Sequence, residues 1–130
     1  MTTNRSLYQS HILHLAKNTR YWSLITPAMF DYSATNTLCG DHLRLTLRWY
    51  EDAIISHVGC DGDGCVICKA SASLLAERLM GMKLNEALSL TTEDIFEMLE
   101  VAIPPARRKC ALLPLRVLLE GAENMGLKAW

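Results

Sequence analysis

Apolar and polar positions alternate most clearly from His42 to Tyr50, where Leu43, Leu45, Leu47 and Trp49 share one side and His42, Arg44, Thr46 and Arg48 the other. A period of two predicts a β-strand with one buried and one wet face. Glu51 and Asp52 supply turn residues, and Ala53 to Gly59, with Ile54, Ile55 and Val58, predicts the returning strand of a hairpin. Upstream, Phe30, Tyr32 and Ala34 alternate with polar neighbours, which predicts a short strand leading into the loop that carries Cys39. A three-stranded antiparallel sheet follows.

On either side of these strands the period changes. Leu7, Tyr8, Ile12 and Leu15 recur at helical spacing, predicting an amphipathic helix over residues 5–17 closed by Asn18. Val66 to Met80, rich in Ala, Ser and Leu and followed by Gly81, predicts a helix whose small side chains allow close packing on the sheet. A short helical turn is expected at Asn85 to Leu88. Thr91 with Asp94 three residues on forms a capping box ahead of Ile95, Phe96 and Leu99. Pro104 and Pro105 are expected to end that helix and open the last one, which should run to Glu120 and stop at Gly121. Residues 1–4 and 122–130 read as loose tails. Strands first and helices after predict an α+β fold in one domain, residues 1–130.

Composition narrows the function classes. Half of the 130 residues are hydrophobic and 21% are charged, an ordinary balance for a folded domain. Thirteen Lys and Arg against 14 Asp and Glu leave no global field that would draw the chain to nucleic acid. No apolar run approaches the roughly 20 residues that span a bilayer, and the first residues lack a secretory pattern. The chain reads as cytoplasmic, with no nucleic-acid or membrane partner. In a reducing compartment its five cysteines are more often ligands, nucleophiles or buried small hydrophobes than disulfide partners.

Three of those cysteines have informative neighbourhoods. Cys39 precedes a Gly40-Asp41 turn that can leave its sulfur exposed, with the Asp41 carboxylate two residues away; the plain alternative is a buried small side chain. Cys65 ends Asp61-Gly62-Asp63-Gly64-Cys65, where two glycines let the backbone approach a bound atom and a helix start favours thiolate; the plain alternative is a tight acidic turn. Cys110 follows Arg107-Arg108-Lys109, whose positive charge favours its thiolate, though a bare charge run is ordinarily a solvated patch. Pro114 cannot donate to the Cys110 carbonyl, so the helix is expected to kink or restart and project Cys110 toward the loops of the sheet. With Asp41, these three sulfurs fill a tetrahedral shell.

The remaining candidates are weaker. Cys65-Val66-Ile67-Cys68 has C-x-x-C spacing, but a zinc ribbon needs a second pair and a thioredoxin-like motif follows the first strand of a βαβ unit. Cys60 and Cys68 therefore read as packing thiols or accessory sulfur carriers. His11, His14, His42 and His57 lack a metal-type pairing and read as surface or interface residues. His42, beside Asp41, is the one positioned to support a ligand by hydrogen bonding.

Taken together, Asn36-Thr37-Leu38-Cys39-Gly40-Asp41, Gly62-Asp63-Gly64-Cys65-Val66-Ile67 with Ala70-Ser71-Ala72-Ser73, and Ala106-Arg107-Arg108-Lys109-Cys110-Ala111-Leu112-Leu113 resemble the U-type iron-sulfur cluster assembly scaffolds, the IscU, SufU and NifU amino-terminal family. The likeness spans about residues 7–121 with all three cysteine motifs in order. It implies a SufE/NifU-like α+β fold, a three-stranded antiparallel sheet with helices packed on one side. It also implies Cys39, Cys65 and Cys110 as sulfur ligands, Asp41 as a labile fourth, and Cys110 as candidate persulfide acceptor. The expected cargo is a transient [2Fe-2S] cluster, with Zn2+ at the same site an alternative, and the expected partners are a cysteine desulfurase and recipient apo iron-sulfur proteins. On this reading the chain is a scaffold, not an enzyme in its own right. Its runner-up is a zinc-dependent sulfur acceptor of the SufU kind.

Two departures from the family pattern matter. Lys109 stands where the Isc branch has a histidine, as in the SufU branch, yet the insertion that SufU members carry before the last cysteine is missing. Ile103-Pro104-Pro105-Ala106-Arg107 only partly resembles the motif offered to an Hsp70-type chaperone, so that partner is not assigned.

Overall fold

A computed structural model describes residues 4–38 and 40–127, with side chains from Ser10 onward. Three antiparallel strands, β1 (Phe30–Asn36), β2 (Asp41–Trp49) and β3 (Ile55–Asp63), form a sheet in the order β1-β2-β3. Helix α1 (Asn4–Ala16) precedes them, and α2 (Val66–Leu79), α3 (Leu84–Ala87), α4 (Thr92–Leu99) and α5 (Arg108–Met125) follow, the last entered through a 3-10 turn at Pro105–Arg107. The expected α+β order is the one found, with α5 against β1 and β2, α2 beside α5, and α1 lying on α2. Leu7 and Tyr8, expected on the apolar side of the first helix, lie outside the described side chains.

The period-two reading of β2 holds on its apolar face, where Leu43, Leu45 and Leu47 are buried. On the other face it fails at Thr46, which is only 1% exposed. The chain after α1 folds over this spot: the Ile25 N–H donates to Thr46 Oγ1 at 2.9 Å, and that hydroxyl donates to the Gly59 carbonyl at 2.7 Å. Threonine suits the position because one hydroxyl satisfies two buried backbone groups.

The same crossing explains the glycines. β3 does not end at Gly59 but pairs with β2 as far as Asp63, so the glycine-rich stretch is strand, not turn. A Cβ at Gly59 would run into the Ser23 carbonyl, and one at Gly62 into the His42 carbonyl of the adjacent strand. Gly62 thus makes room for a neighbouring chain, not for a bound atom.

Helix boundaries bring further corrections. α4 has the full capping box, Thr91 and Asp94 each bonding the other's backbone. Its end is Glu100 in the left-handed conformation (φ 61°), ahead of the prolines expected to stop it. α5 runs through Gly121 to Met125 and is capped by Gly126, so residues 122–125 are helix and Ala122 is buried. Gly121 is no stop signal; a Cβ there would collide with Phe30 and Tyr32, and its absence lets α5 lie close on β1. Nor does the helix restart at Pro114. Burial of Leu113, Leu115, Val117 and Leu118 around it holds the helix across the missing bond.

Candidate metal centre

Three element ends meet on one side of the sheet. Asp41 opens β2 opposite Asn36, on the face shared with Leu43 and Leu45, and is 2% exposed. Cys65 is the N-cap of α2, and Cys110 lies in the first turn of α5. Their ligand atoms, one carboxylate oxygen and two Sγ, all lie within 4.8 Å of one another. The fourth expected member, Cys39, lies outside the described residues. On either side of it, Asn36 Oδ1 accepts the Leu38 N–H at 3.2 Å and the Asn36 carbonyl accepts the Gly40 N–H at 2.8 Å. Gly40 has φ 74°, the left-handed region that glycine tolerates without a Cβ penalty.

Asp41 and Cys65 are already coupled. The Cys65 N–H donates to Asp41 Oδ1 at 2.9 Å, and the Cys65 thiol donates to Asp41 Oδ2 at 3.6 Å. The carboxylate thereby satisfies a free N–H at the start of α2, a role that suits negative charge near a helix N-terminus. If the thiol lost its proton to solvent on binding a metal, its bond to Oδ2 would be lost and that oxygen would be free to face the same ion. Gly64 permits this closeness: a Cβ there would sit 3.3 Å from the Asp41 carboxyl carbon and 3.2 Å from the Cys68 Cβ.

Cys110 is 1% exposed, whereas Arg107, Arg108 and Lys109 before it are exposed, with Arg108 stacked 5.1 Å from the centre of the Phe96 ring. α5 is tied to α2 beside this cysteine, because buried Ser71 donates to the Ala111 carbonyl at 2.5 Å. Motif reading left Ser71 as part of a small-residue helix and missed this bond. Its signal was a hydroxyl at an otherwise buried helical position.

The other candidates are not members of this group. Cys60 is 1% exposed, its thiol donates to the Tyr21 carbonyl at 3.4 Å, and burial, with Asp61 adding to it, pushes its pKa up to about 12. Cys68 is buried as well and stands outside the group of three. Adjacent residues of a strand face opposite sides, so His42 points away from Asp41 and bonds Thr35 Oγ1 at 3.2 Å. It does not support Asp41 by hydrogen bonding. His14 and His57 are exposed, and His57 bonds Ser56 Oγ.

The donor set fits a thiophilic metal. Two sulfurs and a carboxylate suit zinc or an iron-sulfur cluster, and the N-termini of α2 and α5 favour the negative charge that thiolates bring. Among the described residues no helix is long and apolar enough to cross a membrane.

Known proteins agree with this picture. Residues 7–129 match the family model of the NifU-like N terminal domain. The chain is 28% identical to the iron-sulfur cluster assembly scaffold protein IscU of Thermotoga maritima, covering 93% of this chain and 96% of the relative. It is 29% identical to the zinc-dependent sulfurtransferase SufU of Bacillus subtilis, covering 89% of each. Among solved structures, FiSufU from Fervidobacterium islandicum superposes with a TM-score of 0.75 at 25% identity, over 85% of this chain and 93% of that one.

Proposed function

Since the chain belongs to the NifU-like N-terminal domain family, we propose that it is a scaffold on which an iron-sulfur cluster is assembled and from which the cluster is passed on. The observation that carries this reading is the convergence of Asp41, Cys65 and Cys110 within 4.8 Å from three separate elements. Cys39 is the proposed third sulfur, contributed by the β1–β2 loop. Cluster components, iron and sulfur, are the cargo; a cysteine desulfurase supplies the sulfur and apo iron-sulfur proteins receive the product.

The ligand set suits temporary custody. Thiolates hold soft metals firmly, whereas a carboxylate is a harder and weaker donor to such a centre, so one position opens readily. Asp41 also has an alternative occupation in the Cys65 N–H, which keeps its carboxylate in place when the metal departs. Asp41→Ala is expected to give a longer-lived cluster that transfers slowly, read by the decay of its visible absorption on adding an apo acceptor. Equal or faster transfer would contradict the labile-ligand role.

A second reading is a zinc-dependent sulfur acceptor, in which the metal positions Cys110 to take persulfide sulfur. It is favoured by Lys109 before the last cysteine and by the likeness to the Bacillus subtilis protein. Anaerobic incubation with iron, a desulfurase and cysteine separates the two. Cluster absorption that is lost on replacing Cys39, Cys65 or Cys110 by Ser supports the scaffold; tight zinc that iron never displaces, with faster desulfurase turnover, supports the acceptor.

A further inference from the structure

Cys68 is a thiol beside the centre that the ligand set leaves over. It completes the C-x-x-C sequence with Cys65 and packs against Gly64, its Cβ 3.2 Å from where a Cβ of Gly64 would be. The two differ in access: Cys65 is half-buried at the helix cap, whereas Cys68, within the first turn, is 1% exposed. At a helix start, Cα atoms three residues apart are separated by about 5–6 Å, which falls within the span of a disulfide. A half-accessible thiol with a buried one behind it is the arrangement of an attacking and a resolving cysteine.

We propose that Cys68 is a resolving thiol that frees sulfide from a persulfide carried on Cys65. The proposal rests on the reading of this centre as one that handles sulfur, and gives it a local source of sulfide. The Cys68 sulfur attacks the inner sulfur of the Cys65 persulfide, so the Cys65–Cys68 bond forms as the bond to the outer sulfur breaks. That outer sulfur leaves as the hydrosulfide anion and takes up the proton given up by Cys68, departing as hydrogen sulfide. It gains two electrons, and the two cysteines, oxidised to a disulfide, supply them. A dithiol reductant then restores both thiols. Until it does, Cys65 is withdrawn from the ligand set, which makes sulfide release and metal loading successive events. The persulfide reaches Cys65 from a small persulfide donor or from Cys110, whose sulfur is within 4.8 Å of that of Cys65.

Reduced, metal-free protein treated briefly with cysteine persulfide, freed of small molecules and kept without added thiol, tests this directly. Wild type should release sulfide stoichiometrically with the Cys65–Cys68 disulfide seen by peptide mapping. Cys68→Ala and Cys68→Ser should both retain one added sulfur atom on Cys65 and release sulfide more than about tenfold slower, because an intramolecular attack has been lost. Two substitutions guard against a packing defect in either, and dithiothreitol should discharge the retained sulfur from both. Release from the variants at the wild-type rate, a Cys65–Cys110 disulfide in wild type, or no persulfide on Cys65 in any of the three proteins would each overturn the proposal. Zinc or cluster binding by the untreated protein is measured separately, so failure of the scaffold reading shows there and not here.

Discussion

Cys60 and Cys65 belong to one stretch of chain, five residues apart, and the fold gives them opposite chemistry. Cys60 sits in the middle of β3 with its thiol donating to a backbone carbonyl and its pKa pushed up to about 12 by burial. Cys65 lies past the end of that strand, at the cap of α2, against a carboxylate and within reach of a second sulfur. The residue type is the same. What differs is the position relative to an element end, where backbone N–H groups are free and neighbouring elements can converge.

The sharpest way to break this contrast is to exchange the two roles by mutation. Cys65→Ser and Cys110→Ser should each weaken metal binding by more than about 100-fold, beyond the range typical of losing a supporting partner, when titrated with zinc against a chelator. Cys60→Ala should leave that affinity unchanged within error. If Cys60→Ala matched the other two, the separation of packing from ligating cysteines would be wrong.

Alkaline pH sharpens it further. A thiol whose folded pKa is raised keeps its proton in the native state while the unfolded chain loses its own, so its stabilising contribution is intact below the ordinary value of 9.0 and declines as pH rises toward about 12. In urea unfolding this thiol should contribute a loss of at most about 1.4 kcal/mol per pH unit within that window. Cys60→Ala should reduce this slope, starting from a stability lowered by about 1–2 kcal/mol through lost packing and a weak hydrogen bond. An unchanged slope would contradict the burial of Cys60.

Ser71 probes what holds the functional side in place. Ser71→Ala leaves the Ala111 carbonyl without its cross-helix donor and should cost about 1–2 kcal/mol in denaturant unfolding, with zinc affinity falling about tenfold as α5 loosens beside Cys110. Stability lost with affinity fully retained would show that the bond serves the core alone.

The smallest effect is expected on the solvated face of the sheet. Arg44 pairs with Asp31 at 2.6 Å, and its hydrogen bonds hold the Asp31 carboxyl below the usual carboxylate range. A depressed carboxylate contributes stability above its unfolded pKa and loses that contribution as pH falls through the folded value. Arg44→Met should therefore slightly flatten the acid limb of the stability profile and leave neutral metal binding untouched. A change in zinc affinity would mean that the outer face communicates with the centre.

Much of this was legible in the chain. Leu43, Leu45 and Leu47 declare their strand because a half-buried strand needs period two, and Thr91 with Asp94 declares a helix start because both side chains satisfy free N–H groups. The proximity of Asp41, Cys65 and Cys110 was legible because each occupies an element end that local sequence marks with Gly or Pro. What escaped was set by contacts distant in sequence. Gly62 read as a place where the backbone could approach a bound atom, or as a turn, yet it stands in a strand to admit the His42 carbonyl, just as Gly59 admits that of Ser23. Gly121 read as a helix stop, and only the Phe30 ring against it shows otherwise. His42 was placed beside Asp41 by chain proximity, which in a strand means the opposite face.

X-ray absorption at the metal edge of anaerobically zinc-loaded protein tests the central claim most directly. The expected result is a mixed shell of sulfur and oxygen donors around one ion, with sulfur scattering reduced in both Cys65→Ser and Cys110→Ser and kept in Cys60→Ala. A shell of oxygen and nitrogen alone, or spectra unaltered in the two site variants, would contradict it.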